Sequence, residues 1–275
     1  MTVTFKGAGK KLTSLAISLI ARQINVREDE IHSILDVETA GGGFDSQGRV
    51  KMLMEPHIFY RHCPKDKLQD AVDQGIAYPH WGMARYPSDS YPHLLAAMAL
   101  DETAALLSAS YGLGQILGEN YKLCGYDTVQ DMVNDFAEDE QLQLEAMVNF
   151  LISKGLDKAL QAHDWATLAR GYNGSQYAHN SYDKKLAAAY TKWQRIPDTP
   201  IPADATLDGE TAPAPQAPAE PVQADPVVPA TPVAKTPETP PVSPAGPAIA
   251  IPAPVVPPRP SIWGRIGAWY SSWYH

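Results

Sequence analysis

The sequence predicts an α+β fold, mostly helical with one small β element, and three observations predict it. Apolar residues recur at helical spacing through most of residues 11–193. One stretch, Phe44 to Met54, alternates weakly around the turn signal Asp45-Ser46-Gln47-Gly48. Twenty of the 25 prolines lie between Pro197 and Pro260, which ends the foldable part near residue 196.

Taken in order, the first helix is expected over Lys11–Gln23, with Leu12, Leu15, Ala16, Leu19 and Ile20 on its core stripe. Lys10 and Lys11 before Leu12–Ile20 have a superficial likeness to a signal peptide. Thr13, Ser14 and Ser18 interrupt that run, however, so it reads as an ordinary amphipathic helix. A second helix opens at Glu28-Asp29-Glu30, where the dipole favours negative charge, and carries Ile31, Ile34 and Leu35 down to Glu38. Phe44 and Val50–Met54 form a hairpin or two short strands. Pro56 then starts a helix at its preferred first position. Residues 62–90, polar and rich in Pro, Gly and Asp, are expected to be a long surface loop. From Pro92 the rest reads as helix. The segments are Pro92–Leu100, Asp101–Ser108 with Asp101 as N-cap, Thr128–Phe136, Glu140–Lys154, Leu156–Ala162, Trp165–Gly171 and Tyr182–Trp193. Within Glu140–Lys154, the periodicity turns Leu142, Leu144, Met147, Val148, Leu151 and Ile152 inward. Ser110–Gly118 reads as a glycine-spaced turn leading into a short apolar piece.

Composition sets the function classes. The net charge of −9, with no Lys/Arg stripe, excludes a nucleic-acid binder. The two cysteines, Cys63 and Cys124, are too few for a zinc cluster, and two buried thiols are favoured over a disulfide. His62, His80 and His93 lack metal-ligand spacing, so neither a metal nor another cofactor is expected. No stretch is long enough for a transmembrane helix. The candidate for chemistry is Glu38. Its helix runs into Gly41-Gly42-Gly43, which places a carboxylate with apolar neighbours on a rigid helix end beside a permissive loop. Partial desolvation there raises a carboxyl pKa towards what a general acid needs.

Two later stretches give Glu38 company: Ser110-x-Gly112-Leu113-x-Gln115-Ile116 and Gly171-Tyr172-Asn173-Gly174. In this order they resemble the lysozyme-like superfamily of goose-type lysozymes and lytic transglycosylases. The closer resemblance, over residues 11–193, is to the phage-type N-acetylmuramidases of modular endolysins. It rests on Val37-Glu38-Thr39, Gly43-Phe44, Gly48-Arg49, the run from Leu53 to Phe59, the run from Ala109 to Gly118, Gly171–Gly174 and Tyr182–Leu186. The chain departs from the pattern at Thr39, where Ser is usual, and at Tyr111 and Gly114, where Trp and a larger apolar residue are commoner. Gly114 is expected to widen the cleft beside Gln115.

The resemblance implies a mostly helical lysozyme-like domain that cuts the β-1,4 bond between N-acetylmuramic acid and N-acetylglucosamine of bacterial peptidoglycan, for host cell lysis. Glu38 would be the acid. Thr39, Ser110, Gly112, Leu113, Gln115, Tyr172 and Asn173 would contact the sugar or the acid. A second carboxylate is open between Asp45 and Glu55. If neither serves, the sugar's acetamido group acts and a lytic transglycosylase outcome is natural. A non-catalytic wall-binding or virion protein is the alternative from another class. The domain plan is a catalytic domain at 1–196, a disordered Pro-rich linker at 197–260 and an aromatic amphipathic tail at 261–275. The tail is expected to contact a bacterial membrane. A monomer is expected, held in the host cytoplasm until it is released to the wall.

Overall fold

The computed structural model describes residues 2–38, 42–83, 86–174, 178 and 181–207, with Glu38 and Asn173 described by their backbones alone. Among these residues it is α+β, as the periodicity predicts: eleven α-helices, one 3-10 helix and a three-stranded antiparallel sheet. Helices α1 (Ser14–Gln23) and α2 (Glu28–Glu38) come first. Strand β1 (Met52–Met54) precedes α3 (Pro56–His62), α4 (Leu68–Asp73), α5 (Tyr91–Leu100) and α6 (Glu102–Leu107). Strands β2 (Ala109–Tyr111) and β3 (Ile116–Leu117) lead into the 3-10 helix Gly118–Cys124. Then follow α7 (Val129–Glu138), α8 (Glu140–Ser153), α9 (Leu156–Gln161), α10 (Trp165–Asn173) and α11 (Tyr182–Trp193).

Helix α8 is the centre. It packs against α1, α7, α9 and the 3-10 helix. Leu144, Met147 and Leu151 are fully buried, each contributing about 1.5–3 kcal/mol by leaving water. The helix ends follow their sequence signals. Thr13, Asp101, Thr128, Asp139 and Asp164 each accept a backbone N–H of the helix they open, at 2.7–3.1 Å. The cap at Thr13 also explains why α1 begins at Ser14 and not at Lys11. Lys10 pairs with the α7–α8 junction, through Lys10 N–H to the Glu138 carbonyl (2.9 Å) and Glu140 N–H to the Lys10 carbonyl (3.0 Å).

The β element departs from the expected hairpin. Phe44 and Val50 do bridge across the Asp45–Gly48 turn. The main partner of β1, however, is β2, in the register Met52↔Tyr111, Leu53↔Ser110 and Met54↔Ala109; β2 then turns back on β3 through Tyr111↔Ile116. The loop over 62–90 is not all loop. It carries α4, whose Ala71 is buried, as are Ile76 and Ala77 just after it. Past α11 the chain stays on the domain for several residues. Arg27 pairs with Asp198 at 2.9 Å, Thr199 N–H donates to Glu28, and Leu207 packs on the core. The rest of the expected linker, 208–260, and the tail 261–275 lie outside the described residues. Cys63 and Cys124 are buried free thiols, and burial pushes Cys124 up to about 12.

Candidate active site

Glu38 is the last residue of α2, a helix held from two sides. Ile31, Ser33, Ile34 and Leu35 face the core. On the other side α11 grips the helix: Asp36 Oδ2 accepts from Lys192 Nζ (2.7 Å) and Trp193 Nε1 (2.9 Å), and the Trp193 ring stacks on His32 at 3.7 Å. The last turn before Glu38 is therefore fixed in position. Thr39, its neighbour, lies outside the described residues.

Where the loop emerges, two polar side chains of α8 receive it. Glu140, 4 % exposed, accepts Gly43 N–H (2.7 Å), Leu12 N–H (2.9 Å) and the Lys11 ammonium (3.0 Å). Gln143, fully buried, accepts Leu113 N–H and donates to the Phe136 carbonyl, both at 2.7 Å. A Cβ at Gly43 would fall 1.8 Å from Gln143 Oε1, and one at Gly112 would fall 2.6 Å from it. Both glycines are required because a buried amide fills the space between them. The backbone closes the same circuit. Lys51 N–H donates to the Gly43 carbonyl (2.7 Å), and Gly112 N–H to the Lys51 carbonyl (2.8 Å).

Gly112–Gln115 is the β2–β3 turn. Gln115 has a positive φ of 47°, and its Nε2 donates to the Gly112 carbonyl at 2.9 Å, so the amide braces the turn. Tyr172 reaches the turn from α10, its hydroxyl donating to the Gly114 carbonyl at 2.9 Å and its ring edge-on to Phe150. Gly114 does not widen a cleft. A Cβ there would lie 2.8 Å from the Tyr172 hydroxyl and 3.2 Å from Met147 Cγ, so the space is filled. Ser110 and Leu113 are buried, and the Ser110 hydroxyl has no partner within the described residues. Asn173 ends α10, ahead of Gly174 with its φ of 78°. The glycine loop, the Gly112–Gln115 turn and Tyr172 thus converge on one side of α8.

The two candidate second carboxylates stand differently. Asp45 Oδ1 accepts Gln47 and Arg49 N–H at 2.9 Å, and Oδ2 accepts Arg49 Nε at 2.7 Å, so its oxygens are spent on the turn. Glu55 sits at the N-cap position of α3, 1 % exposed. Its Oε2 accepts the Tyr86 hydroxyl at 2.5 Å and lies 3.5 Å from His57 Nδ1. The three residues of β1 lie between it and Lys51, four steps of about 3.3 Å or roughly 13 Å. The Glu55 side chain makes no cap bond to α3 and is buried against Tyr86 and His57. Among the described residues no group of three or more His, Cys, Asp or Glu side chains is placed to hold a metal ion.

The residues missed by sequence reasoning are Glu140 and Gln143. Periodicity put Leu142 inward, yet Leu142 is half-buried and Gln143 wholly so. The only signal was a polar pair at i, i+3 beside an apolar face.

Comparison with known proteins bears on the family and the fold. A model of the N-acetylmuramidase family matches residues 27–194. Among solved structures, the crystal structure of the Burkholderia AP3 phage endolysin is similar, with 31% sequence identity and a TM-score of 0.62 over 68% of this chain and 73% of that one. No curated protein matches the chain.

Proposed function

The chain belongs to the N-acetylmuramidase family of peptidoglycan-degrading enzymes, and from that premise we propose that it is an endolysin hydrolysing the β-1,4 bond between N-acetylmuramic acid and N-acetylglucosamine. Glu38 is the general acid that protonates the leaving oxygen as oxocarbenium character develops. The observation that carries the reading is the convergence of Gly43, the Gly112–Gln115 turn and Tyr172 over α8, with Gly43 five residues after Glu38 in the chain. Gln143 and Tyr172 keep that turn from moving, as a site that positions a sugar requires. Glu38→Gln keeps the shape and removes the proton. It should reduce clearance of purified peptidoglycan by at least about 10²-fold with an unchanged circular dichroism spectrum; a variant that keeps a tenth of the activity contradicts the assignment.

One observation favours a second reading, a lytic transglycosylase. Asp45 is spent on Arg49 and its own turn, and Glu55 is buried against Tyr86, so neither stands ready to activate a water. In that reading the sugar's own groups complete the reaction and a 1,6-anhydro ring forms. Mass spectrometry of the muropeptides separates the two outcomes, since hydrolysis leaves reducing muramic acid and the alternative leaves products lighter by one water.

A further inference from the structure

Residues 4–12 precede the segment that carries the family likeness, yet this N-terminal arm is bonded along its length. Thr4 N–H donates to Asn134 Oδ1 (2.8 Å), Ala8 N–H to Glu138 Oε2 (3.1 Å) and Gly9 N–H to the Ala137 carbonyl (3.2 Å), so the arm is laced to α7 ahead of the Lys10 pairing. From there it reaches the glycine loop and the turn that follows it. Val50 N–H donates to the Phe5 carbonyl at 2.9 Å, with the Phe5 ring edge-on to Tyr91. At the other end Lys11 meets the loop itself. Its ammonium lies 3.0 Å from Glu140 Oε1, the oxygen that also accepts Gly43 N–H at 2.7 Å, and 4.9 Å from the centre of the Phe44 ring. A Cβ at Gly42, whose φ is 118°, would fall 3.4 Å from that ammonium. Glycine gives up more conformational freedom on ordering than any other residue, so a glycine loop depends on bonds from outside it. Here the outside bond is Gly43 to Glu140, and Glu140 is a carboxylate only 5 % exposed whose charge Lys11 balances.

We infer that this arm is a strap that positions the loop following Glu38, and that Lys11 is its positioning residue, acting through Glu140 and Gly43. The inference deepens the muramidase reading and rests on it. Gly42 and Gly43 stand four and five residues after Glu38 in the chain, so the path of this loop bears on where substrate and acid meet. Without its cation the Glu140 carboxylate is drawn towards water, and the Gly43 N–H that it holds follows. The acid and the sugar contacts remain, so substrate still binds. What falls is the fraction of bound substrate in the reactive geometry, and with it kcat. A displacement of about 1 Å costs about 10²-fold, and a loosened loop is expected to cost about tenfold.

The test compares the full chain with Lys11→Met, Lys11→Arg and Lys10→Met on purified peptidoglycan, below the melting temperature of each. The Lys11 side chain is 63 % exposed, so methionine there opens no cavity. Lys11→Met should lower kcat about tenfold and leave KM within about twofold. Lys11→Arg keeps the charge beside Glu140 and should restore kcat to within about twofold of wild type. Lys10→Met removes the neighbouring ammonium, 65 % exposed and 3.8 Å from Asp139, and should change neither constant. Hydrogen exchange reads the strap without substrate: in Lys11→Met the Gly43 amide should exchange about tenfold faster, while amides of β2 keep their rates. A purely structural role for Lys11 would lower the melting temperature and spare kcat. That result, a loss that Lys11→Arg leaves unrestored, an equal loss in Lys10→Met, or unchanged exchange at Gly43 overturns the strap. If the wild type releases no glycan fragments, the muramidase reading fails, and exchange still decides on the strap.

Discussion

Replacing Gln143 with leucine tests whether the glycine loop and the β2–β3 turn owe their placement to one buried amide. Leucine is similar in size and has no polar atom, so Leu113 N–H and the Phe136 carbonyl lose partners that now sit at 2.7 Å. An orphaned buried polar group costs about 1–3 kcal/mol, so the pair costs about 2–6 kcal/mol. In a domain of this size each kcal/mol lowers Tm by about 2–4 °C, which gives an expected drop of about 4–24 °C. The upper half of that range applies, because Gly43 and Gly112 close on the amide from both sides and leave no room for a branched methyl to shift. Gln143→Glu sets a fully buried carboxylate against the Phe136 carbonyl, so at neutral pH it should destabilise at least as much as leucine. Thermal unfolding followed by far-UV circular dichroism reads both variants. A leucine variant melting within about 2 °C of wild type would refute the claim that this amide holds the turn.

Other perturbations test other parts of the molecule. Glu55→Gln should lower Tm by several degrees, because it weakens a carboxylate bonded to Tyr86, while changing the rate on peptidoglycan by less than about tenfold; a rate loss of orders of magnitude at unchanged Tm would make Glu55 catalytic instead. Asp45→Asn should likewise act on stability through its lost charge on Arg49, and unchanged melting would dismiss the turn as its reason. Burial lowers the pKa of His32 below its usual 6.5 against the opposing pull of Glu28 and Asp36, with Lys192 adding to the lowering. The folded state therefore binds fewer protons, and stability is full above about pH 6.5 and declines as pH falls below it. His32→Phe, which keeps the stack on Trp193, should flatten that decline; an identical pH profile would show that His32 is not its source. For 261–275 we propose contact with a bacterial membrane. Deleting it should leave activity on purified wall unchanged and reduce binding to anionic lipid vesicles, and equal vesicle binding by both chains would exclude the idea.

Most helices were legible from their apolar period, and some also from a residue that marks their start. Asp101 caps α6, as its side chain predicts, and α7 begins within a residue of the expected start at Thr128. The sheet was not legible. Strands of three, three and two residues are too short to alternate visibly, and β1 finds its partner more than fifty residues downstream. The one local pairing, Phe44 with Val50, was the part that a turn signal could reveal. Helix α4 was hidden as well. It is only six residues long, and its stripe of Leu68, Ala71 and Val72 is too short to stand out in a stretch rich in Pro, Gly and Asp.

At the site, the motif glycines were visible but their cause was not. Read locally, Gly43, Gly112 and Gly114 suggest a backbone kept bare for an incoming sugar. In the fold each faces a protein atom: Gly43 and Gly112 the Gln143 amide, Gly114 the Tyr172 hydroxyl. The bonds responsible span 30 residues from Gln143 to Leu113, 58 from Tyr172 to Gly114 and 97 from Glu140 to Gly43. Periodicity reports which face of α8 is buried, but not that one polar residue on that face is bonded to a distant turn. A buried polar group is tolerated only when its partners are fixed, and fixing them is what a catalytic turn requires. The glycines and the α8 amide are therefore one feature. Any residue larger than glycine at 43 or 112 displaces Gln143, and the turn it holds moves with it.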